Sequence, residues 1–570
     1  MTPRRLPRRR TLLALFAAVA LLTISAGLGA AYAVPTATIS GNGSTWAAGA
    51  IEDWRATVKA QGVTVNYTND GSSSGRKNFA IGLSDFAVSE IPYSGDTADP
   101  QDSQRPSFGY GLVPAVAGGT SFMYNLPVGG QRFTKLRLSQ QALAKIFSGQ
   151  VTRWNDPVIA ASNPGVALPA QRITVVVRSD GSGATAQFTL WMLRQFPGDY
   201  AKLCAKAGCN PKNATSYFPY QGLSNFTAQS GSNGVTTYTS NTPYTINYDE
   251  YSYALGVGFP VAKVKNAAGF YTVPTDKAVA VALTQAKINM DKTSQNYLSQ
   301  DLSKVYAYGD PRTYPISAYS YLVIPTQTHG AFSTGKGATL GYFATYGLCE
   351  GQRSMGALGY SPLPMNLVLA AMDQVLRIPG VDAATKKTIS ATKAGVKAGT
   401  SNKCNNPTFK PGDSPAHNVL TDTAPFPDEC NAACQAPWIS KRGATVGGGG
   451  TTTGGGTTTG GGTTTGGGTT TGGGTTTGGG TAPPGSTAPT CDPVTGQCGT
   501  PQATAGGDLN PTAASTVIQG QKTWGPAVFA IVLSVGFLLL LVVAPPLVSR
   551  MLDTRAGARG GPPTQGPARG

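Results

Sequence analysis

Three stretches of the chain combine residue types that bind anions: Gly41-Asn42-Gly43-Ser44-Thr45, Asn69-Asp70-Gly71-Ser72-Ser73-Ser74-Gly75, and Arg178-Ser179-Asp180-Gly181-Ser182-Gly183-Ala184-Thr185. Glycine has no Cβ, so its backbone can come close to a ligand. Serine and threonine hydroxyls donate hydrogen bonds. Each stretch leads into a helical pattern, and the unpaired N–H groups and dipole of a helix start favour negative charge. Arg178 adds a planar, charged, bidentate donor for an oxyanion. Any one such loop is more often an ordinary helix cap or tight turn. Three together, one headed by an arginine, can converge on a single tetrahedral anion.

The elements that would position these loops alternate. Residues 37–40 and 63–67 read as strands, and 173–177 is a β-branched run. Helical patterns follow each loop, through Trp46, Ile51, Trp54 and Val58 in the first case and over 187–194 in the third. Repeated strand–loop–helix units argue for an open α/β fold.

Enzymatic readings of the same residues are weaker. Gly71-Ser72-Ser73-Ser74-Gly75 fits a nucleophile-elbow pattern. That chemistry needs a histidine, and the chain has only His329 and His417. Two histidines also leave little room for a multi-histidine metal site. Gly330-Ala331-Phe332-Ser333-Thr334-Gly335-Lys336 mimics a nucleotide phosphate loop, but Gly337 stands where a magnesium-ligating hydroxyl belongs. The tyrosines around Tyr248-Asp249-Glu250-Tyr251-Ser252-Tyr253 read as packing, with carbohydrate stacking as the alternative. We expect no enzyme activity, no cofactor and no metal.

At 570 residues the chain is too long for one compact domain. It carries 44 Lys and Arg against 27 Asp and Glu, a formal charge of +17, which suits an anionic ligand without forming a nucleic-acid stripe. Residues 1–33 read as a secretory signal: a run of arginines, an apolar stretch from Leu12, and Ala31-Tyr32-Ala33 as the cleavage site. An apolar run over 524–548 is long enough to span a bilayer, and Arg550, Arg555, Arg559 and Arg569 after it place a 549–570 tail in the cytoplasm. A type I, single-pass cell-membrane protein follows, with its bulk outside. All eight cysteines lie in the exported part, which favours disulfides. Cys204/Cys209, Cys430/Cys434 and Cys491/Cys498 are close pairs, leaving Cys349 and Cys404 to pair across a longer loop. Residues 444–490 are dominated by Thr-Thr-Thr-Gly-Gly-Gly repeats, which cannot bury a core and read as a disordered stalk. Residues 491–522 form a cysteine-bracketed spacer.

Over about 38–375 the sequence resembles the phosphate-binding protein of the high-affinity phosphate ABC importer. The resemblance rests on Gly43-Ser44-Thr45-Trp46, Gly71-Ser72-Ser73-Ser74-Gly75, Ser84-Asp85-Phe86-Ala87-Val88-Ser89-Glu90 and Trp154-Asn155-Asp156-Pro157. It rests further on Arg178-Ser179-Asp180-Gly181-Ser182-Gly183, Gly231-Ser232-Asn233-Gly234-Val235 and Leu358-Gly359-Tyr360-Ser361-Pro362-Leu363-Pro364. It implies a two-lobed, type II periplasmic-binding-protein fold of the venus-flytrap kind across 34–443. Lobe I would take about 35–118 and 265–430, and lobe II about 119–264. By the same resemblance the phosphate ligands are Thr45, Trp46, Ser72, Glu90, Arg178, Ser182, Gly183 and Ala184, with Asp180 holding the arginine. Two positions depart from the family pattern: Glu90 replaces an aspartate, and Ala184 replaces a threonine whose lost hydroxyl Thr185 would have to supply.

The expected function is capture of inorganic phosphate between the lobes and delivery to ABC permease subunits in the same membrane, by a monomer without nucleic-acid partners. The alternative is a membrane-tethered surface sensing or interaction protein that keeps the fold without feeding a transporter.

Overall fold

The structure, a computed structural model, describes residues 34–93 and 104–427. The leader at 1–33, the stalk, the spacer, the 524–548 span, the tail and the cysteines at 430, 434, 491 and 498 lie outside the described residues. Among the described residues no helix is long and apolar enough to cross a membrane.

Two β-sheets organise the described chain. The first contains β1 (Ile39–Gly43), β2 (Val65–Thr68), β3 (Phe86–Ser89) and β4 (Tyr110–Ser121). The second contains β5 (Tyr124–Asn125), β6 (Thr174–Arg178), β7 (Phe226–Gln229) and β8 (Thr245–Asn247). The chain then returns to the first sheet as β9 (Asp249–Glu250) and β10 (Ser317–Pro325). The strand orders are β9-β4-β10-β3-β1-β2 and β7-β6-β8-β5. Within the first sheet β1 runs parallel to β2 and β3, and within the second β6 runs parallel to β7 and β8. The chain thus passes between sheets twice, at 121–124 and at 247–249. The first passage falls near the 118/119 limit inferred from the resemblance, and the second well ahead of that at 264/265. The result is an α/β fold of two lobes joined by paired crossings.

Burial explains the long strands. All twelve residues of β4 and all nine of β10 are buried, as expected for central strands covered on both faces. Pro114 lies beside the bulge made by the register shift between Ser320 and Tyr321, a position at which a strand tolerates proline.

Four helices start at the strand ends: α1 (Ala48–Ala60), α2 (Ser72–Ala80), α3 (Gly183–Gln195) and α4 (Gly231–Asn241). The helix starts differ from the sequence expectation. Gly71, at φ 100, turns the chain so sharply that Ser72 already lies in the first helical turn. Likewise Ser182 caps α3 by accepting from the Thr185 N–H, so Gly183, Ala184 and Thr185 are helical rather than loop.

Disulfides join Cys204 to Cys209 and Cys349 to Cys404. The second ties the end of the helix Thr334–Leu348 to the segment that follows Ala383–Lys397.

Candidate anion-binding site

The first of the three loops ends β1, the second links β2 to α2, and the third links β6 to α3. The lobes touch along these turns. The Ser73 N–H donates to the Gly181 carbonyl (3.1 Å), and the Ser232 N–H donates to Thr45 Oγ1 (3.2 Å). Gln187 Nε2 of α3 donates to the Glu90 carbonyl (2.8 Å).

Arg178 closes β6 and is 1% exposed. Its Nε donates to Asp180 Oδ1 (2.8 Å) and its Nη2 bonds Asp180 Oδ2, a two-point pairing that fixes the guanidinium plane. Nη1 donates to Ser232 Oγ (3.3 Å). Burial opposes the arginine's charge, but the Asp180 hydrogen bond and charge, reinforced by Asp249, outweigh it and raise its pKa. Burial likewise pushes Asp180 up, and the Arg178 bond and charge override it and hold the carboxyl below its usual range. Asp180 Oδ1 also accepts from the Gly231 N–H (2.9 Å), so the arginine's partner anchors the start of α4.

Glu90 follows β3 and is 1% exposed. It collects hydroxyl donors: Ser72 Oγ on Oε2 (2.7 Å), and Ser44 and Ser320 (3.0 Å) on Oε1. The longer side chain carries this carboxylate across to the first turn of α3, where a Cβ on Gly183 would fall 1.8 Å from Oε2. Ser72 therefore donates to a carboxylate rather than to a histidine. His329 stacks on Phe108 (3.5 Å) and His417 pairs with Asp413 and Asp422. The phosphate-loop mimic is also accounted for locally: Ser333 caps its helix and Lys336 Nζ bonds Asp85 (2.9 Å).

Thr45 faces lobe II and shares a 2.7 Å hydrogen bond with Ser232 Oγ. Ser232 Oγ spends its one proton on Asp249 Oδ1 (2.9 Å), so Thr45 is the donor in that pair. Trp46 behaves differently from the rest. Its indole packs edge-on to Tyr360 (6.0 Å) and against Gly118 inside lobe I, leaving its backbone at the start of α1. Ser182 and Ala184 are both 1% exposed in the α3 start. The Thr185 hydroxyl is hydrogen-bonded to Tyr248 Oη (2.6 Å). Tyr248 is itself fully buried, in accord with packing.

The structure thus brings Thr45 to Arg178 and Asp180 through Ser232, and Ser72 to Glu90 beside Gly183. Sequence reading missed Asp249 and Ser320, and gave no ligand role to Ser44 or Ser232, although both lie in stretches it singled out. For Ser232 a signal existed: Gly231-Ser232 repeats the glycine–hydroxyl–helix pattern of the other loops. Chemically, the arrangement offers helix starts from both lobes, several hydroxyls and one guanidinium, with a carboxylate acceptor opposite.

The model of the PBP superfamily domain matches residues 30–350. The chain belongs to that superfamily and, within it, to the family of the phosphate-binding proteins PstS. It is 30% identical over 335 residues to the phosphate-binding protein PstS of Methanocaldococcus jannaschii, spanning 57% of this chain and 81% of that one. The PstS of Xylella fastidiosa Temecula1 is 30% identical over 331 residues, 58% of this chain and 82% of the relative. Phosphate-binding protein PstS 3 of Mycobacterium tuberculosis H37Rv is 31% identical over 304 residues, 53% and 76%.

Proposed function

We propose that this chain is an extracytoplasmic solute-binding protein that captures inorganic phosphate between its lobes and passes it to an ABC permease. One observation carries the reading most: a buried Arg178, pinned by Asp180, lies in the same interlobe seam as the starts of α1, α2, α3 and α4. The relatives' names, all phosphate-binding proteins, support the choice of anion.

The chemistry favours a protonated oxyanion. Backbone N–H groups, hydroxyls and Arg178 suit any tetrahedral anion. Glu90 does not: a carboxylate repels a bare oxygen but accepts a hydrogen bond from one that carries a proton. Hydrogen phosphate has that proton at neutral pH and sulfate lacks it. The roles of Thr45, Trp46, Ser72, Ser182, Gly183 and Ala184 as ligands belong to this proposal, with Trp46 and Ala184 contributing backbone alone.

The leader, stalk, single span and cytoplasmic tail complete the proposal, since an anchored receptor on a long tether stays beside its permease. Isothermal titration of the full chain with phosphate and with sulfate tests the binding reading. Phosphate should bind and sulfate should not; failure of phosphate to bind at millimolar concentration contradicts it.

A further inference from the structure

A second acid lies against the arginine. Asp249 opens β9, where the chain re-enters the first sheet, and is 2% exposed. Its Oδ1 accepts from Ser232 Oγ (2.9 Å) and from the Glu250 N–H (2.8 Å). Its Oδ2 accepts no hydrogen bond and stands 3.7 Å from Arg178 Nη1. The guanidinium therefore lies between two carboxylates that treat it differently. Asp180 grips it at two points, while Asp249 forms a longer ion pair at 3.7 Å without a hydrogen bond. Ser232 connects the two sides, because it accepts from Arg178, donates to Asp249 and touches Thr45.

We propose that Asp249 is a positioning residue that sets the strength of anion capture: its carboxylate offsets the Arg178 charge and orients Ser232, and capture tightens when Asp249 takes up a proton. The inference rests on the site being a phosphate receptor. In a water-poor site a carboxylate beside a bound anion acts at short range with little screening. Neutralising it removes a repulsion while leaving Arg178 held by Asp180.

The surroundings make the proton uptake accessible. Burial pushes Asp249 up to about 6, and the charge of Arg178 limits the rise. The other groups facing it are Asp180 on the β6–α3 loop, Tyr248 and Glu250 beside it in sequence, Tyr253 on the following helix, and Tyr360. Burial raises all three tyrosines, which stay neutral, and also raises Glu250. Asp180 is held low and stays charged. By linkage, an anion that binds better to the protonated form must itself draw a proton onto Asp249.

Asp249→Asn tests this with little change of shape, because the amide oxygen can keep both bonds made by Oδ1. Phosphate Kd is measured by calorimetry on the full chain and on the variant from pH 5 to 8. The ionisation of phosphate is common to both proteins and cancels in the ratio of the two constants. The variant should bind about tenfold more tightly at pH 8, within the usual range of site–site coupling, and the advantage should vanish by pH 5. A ratio that does not change with pH, or weaker binding by the variant at pH 8, overturns the inference while leaving the phosphate reading intact. Absence of binding by the wild type at every pH overturns both. Should the variant not fold, carbon-13 carboxyl titration of the wild type decides: phosphate must raise the Asp249 pKa, and an unchanged value overturns the inference.

Discussion

Glu90 and Gly183 approach across the lobe boundary so closely that residue 183 has no space for a side chain: a Cβ there would lie 1.8 Å from Glu90 Oε2 and 2.8 Å from Ser72 Oγ. The constraint on the glycine is this approach rather than its backbone angles: a Cβ would force the Glu90 carboxylate and the Ser72 hydroxyl to shift. Gly183→Ala should keep each lobe folded but hold the lobes apart. Overpacking of this kind costs about 1–3 kcal/mol, or about 5- to 150-fold in affinity. Calorimetry should show that loss, with the thermal midpoint little changed.

Arg178 balances two buried acids, so its removal is expected to affect folding as well as binding. Arg178→Ala leaves Asp180 and Asp249 without their cation, and breaking a buried pair in this way costs about 3–5 kcal/mol. The denaturant midpoint should fall accordingly and phosphate binding should be lost. Arg178→Lys should recover part of the stability but little of the binding, because an ammonium cannot reproduce the two-point fit to Asp180.

Glu90 is the group expected to discriminate between anions. Glu90→Gln removes the charge that repels a proton-free oxygen and supplies an N–H donor in its place. Sulfate binding, which the proposal excludes for the wild type, should become measurable in titrations at pH 7, while phosphate affinity should fall. Unchanged exclusion of sulfate would assign selectivity elsewhere.

Stability should carry the Asp249 signature too. Its pKa in the folded chain, about 6, exceeds the ordinary 3.8. A group raised on folding favours the native state fully below its unfolded value, and that contribution is lost as pH rises through the folded value. The loss therefore falls between about pH 4 and 6, and the gap of about two pKa units corresponds to about 3 kcal/mol. Asp180 has the opposite sign: held low by Arg178, it supports the fold at neutral pH and withdraws that support on acidification. Asp249→Asn should accordingly stabilise the chain relative to the wild type at pH 8 but not at pH 4, as read by denaturant melts.

The parts of the site that follow local rules were legible in the sequence. Glycine–hydroxyl runs between a strand and a helix marked the first three loops, and Arg178 stood out at the head of one, whereas the role of Asp180 came only with the family resemblance. What escaped was set by the fold at long range. Asp249 reaches Arg178 because the chain changes sheets at 247–249, and nothing in its tyrosine-rich neighbourhood signals that. Ser320 reaches Glu90 from a strand 230 residues away in sequence. The partner of the Thr185 hydroxyl was illegible for a similar reason, since only the packing of Tyr248 beside α3 shows where it goes. The start of α2 escaped because a single glycine turn, at Gly71, compresses the loop.

A crystal structure of the protein with phosphate tests the central claim most directly. The account predicts one tetrahedral anion in the interlobe seam, bonded to Arg178, to hydroxyls of Thr45, Ser72 and Ser182 and to the N–H groups that begin α1 and α3, with a protonated oxygen on Glu90. An anion bound elsewhere, or Arg178 turned away from it, would contradict the account.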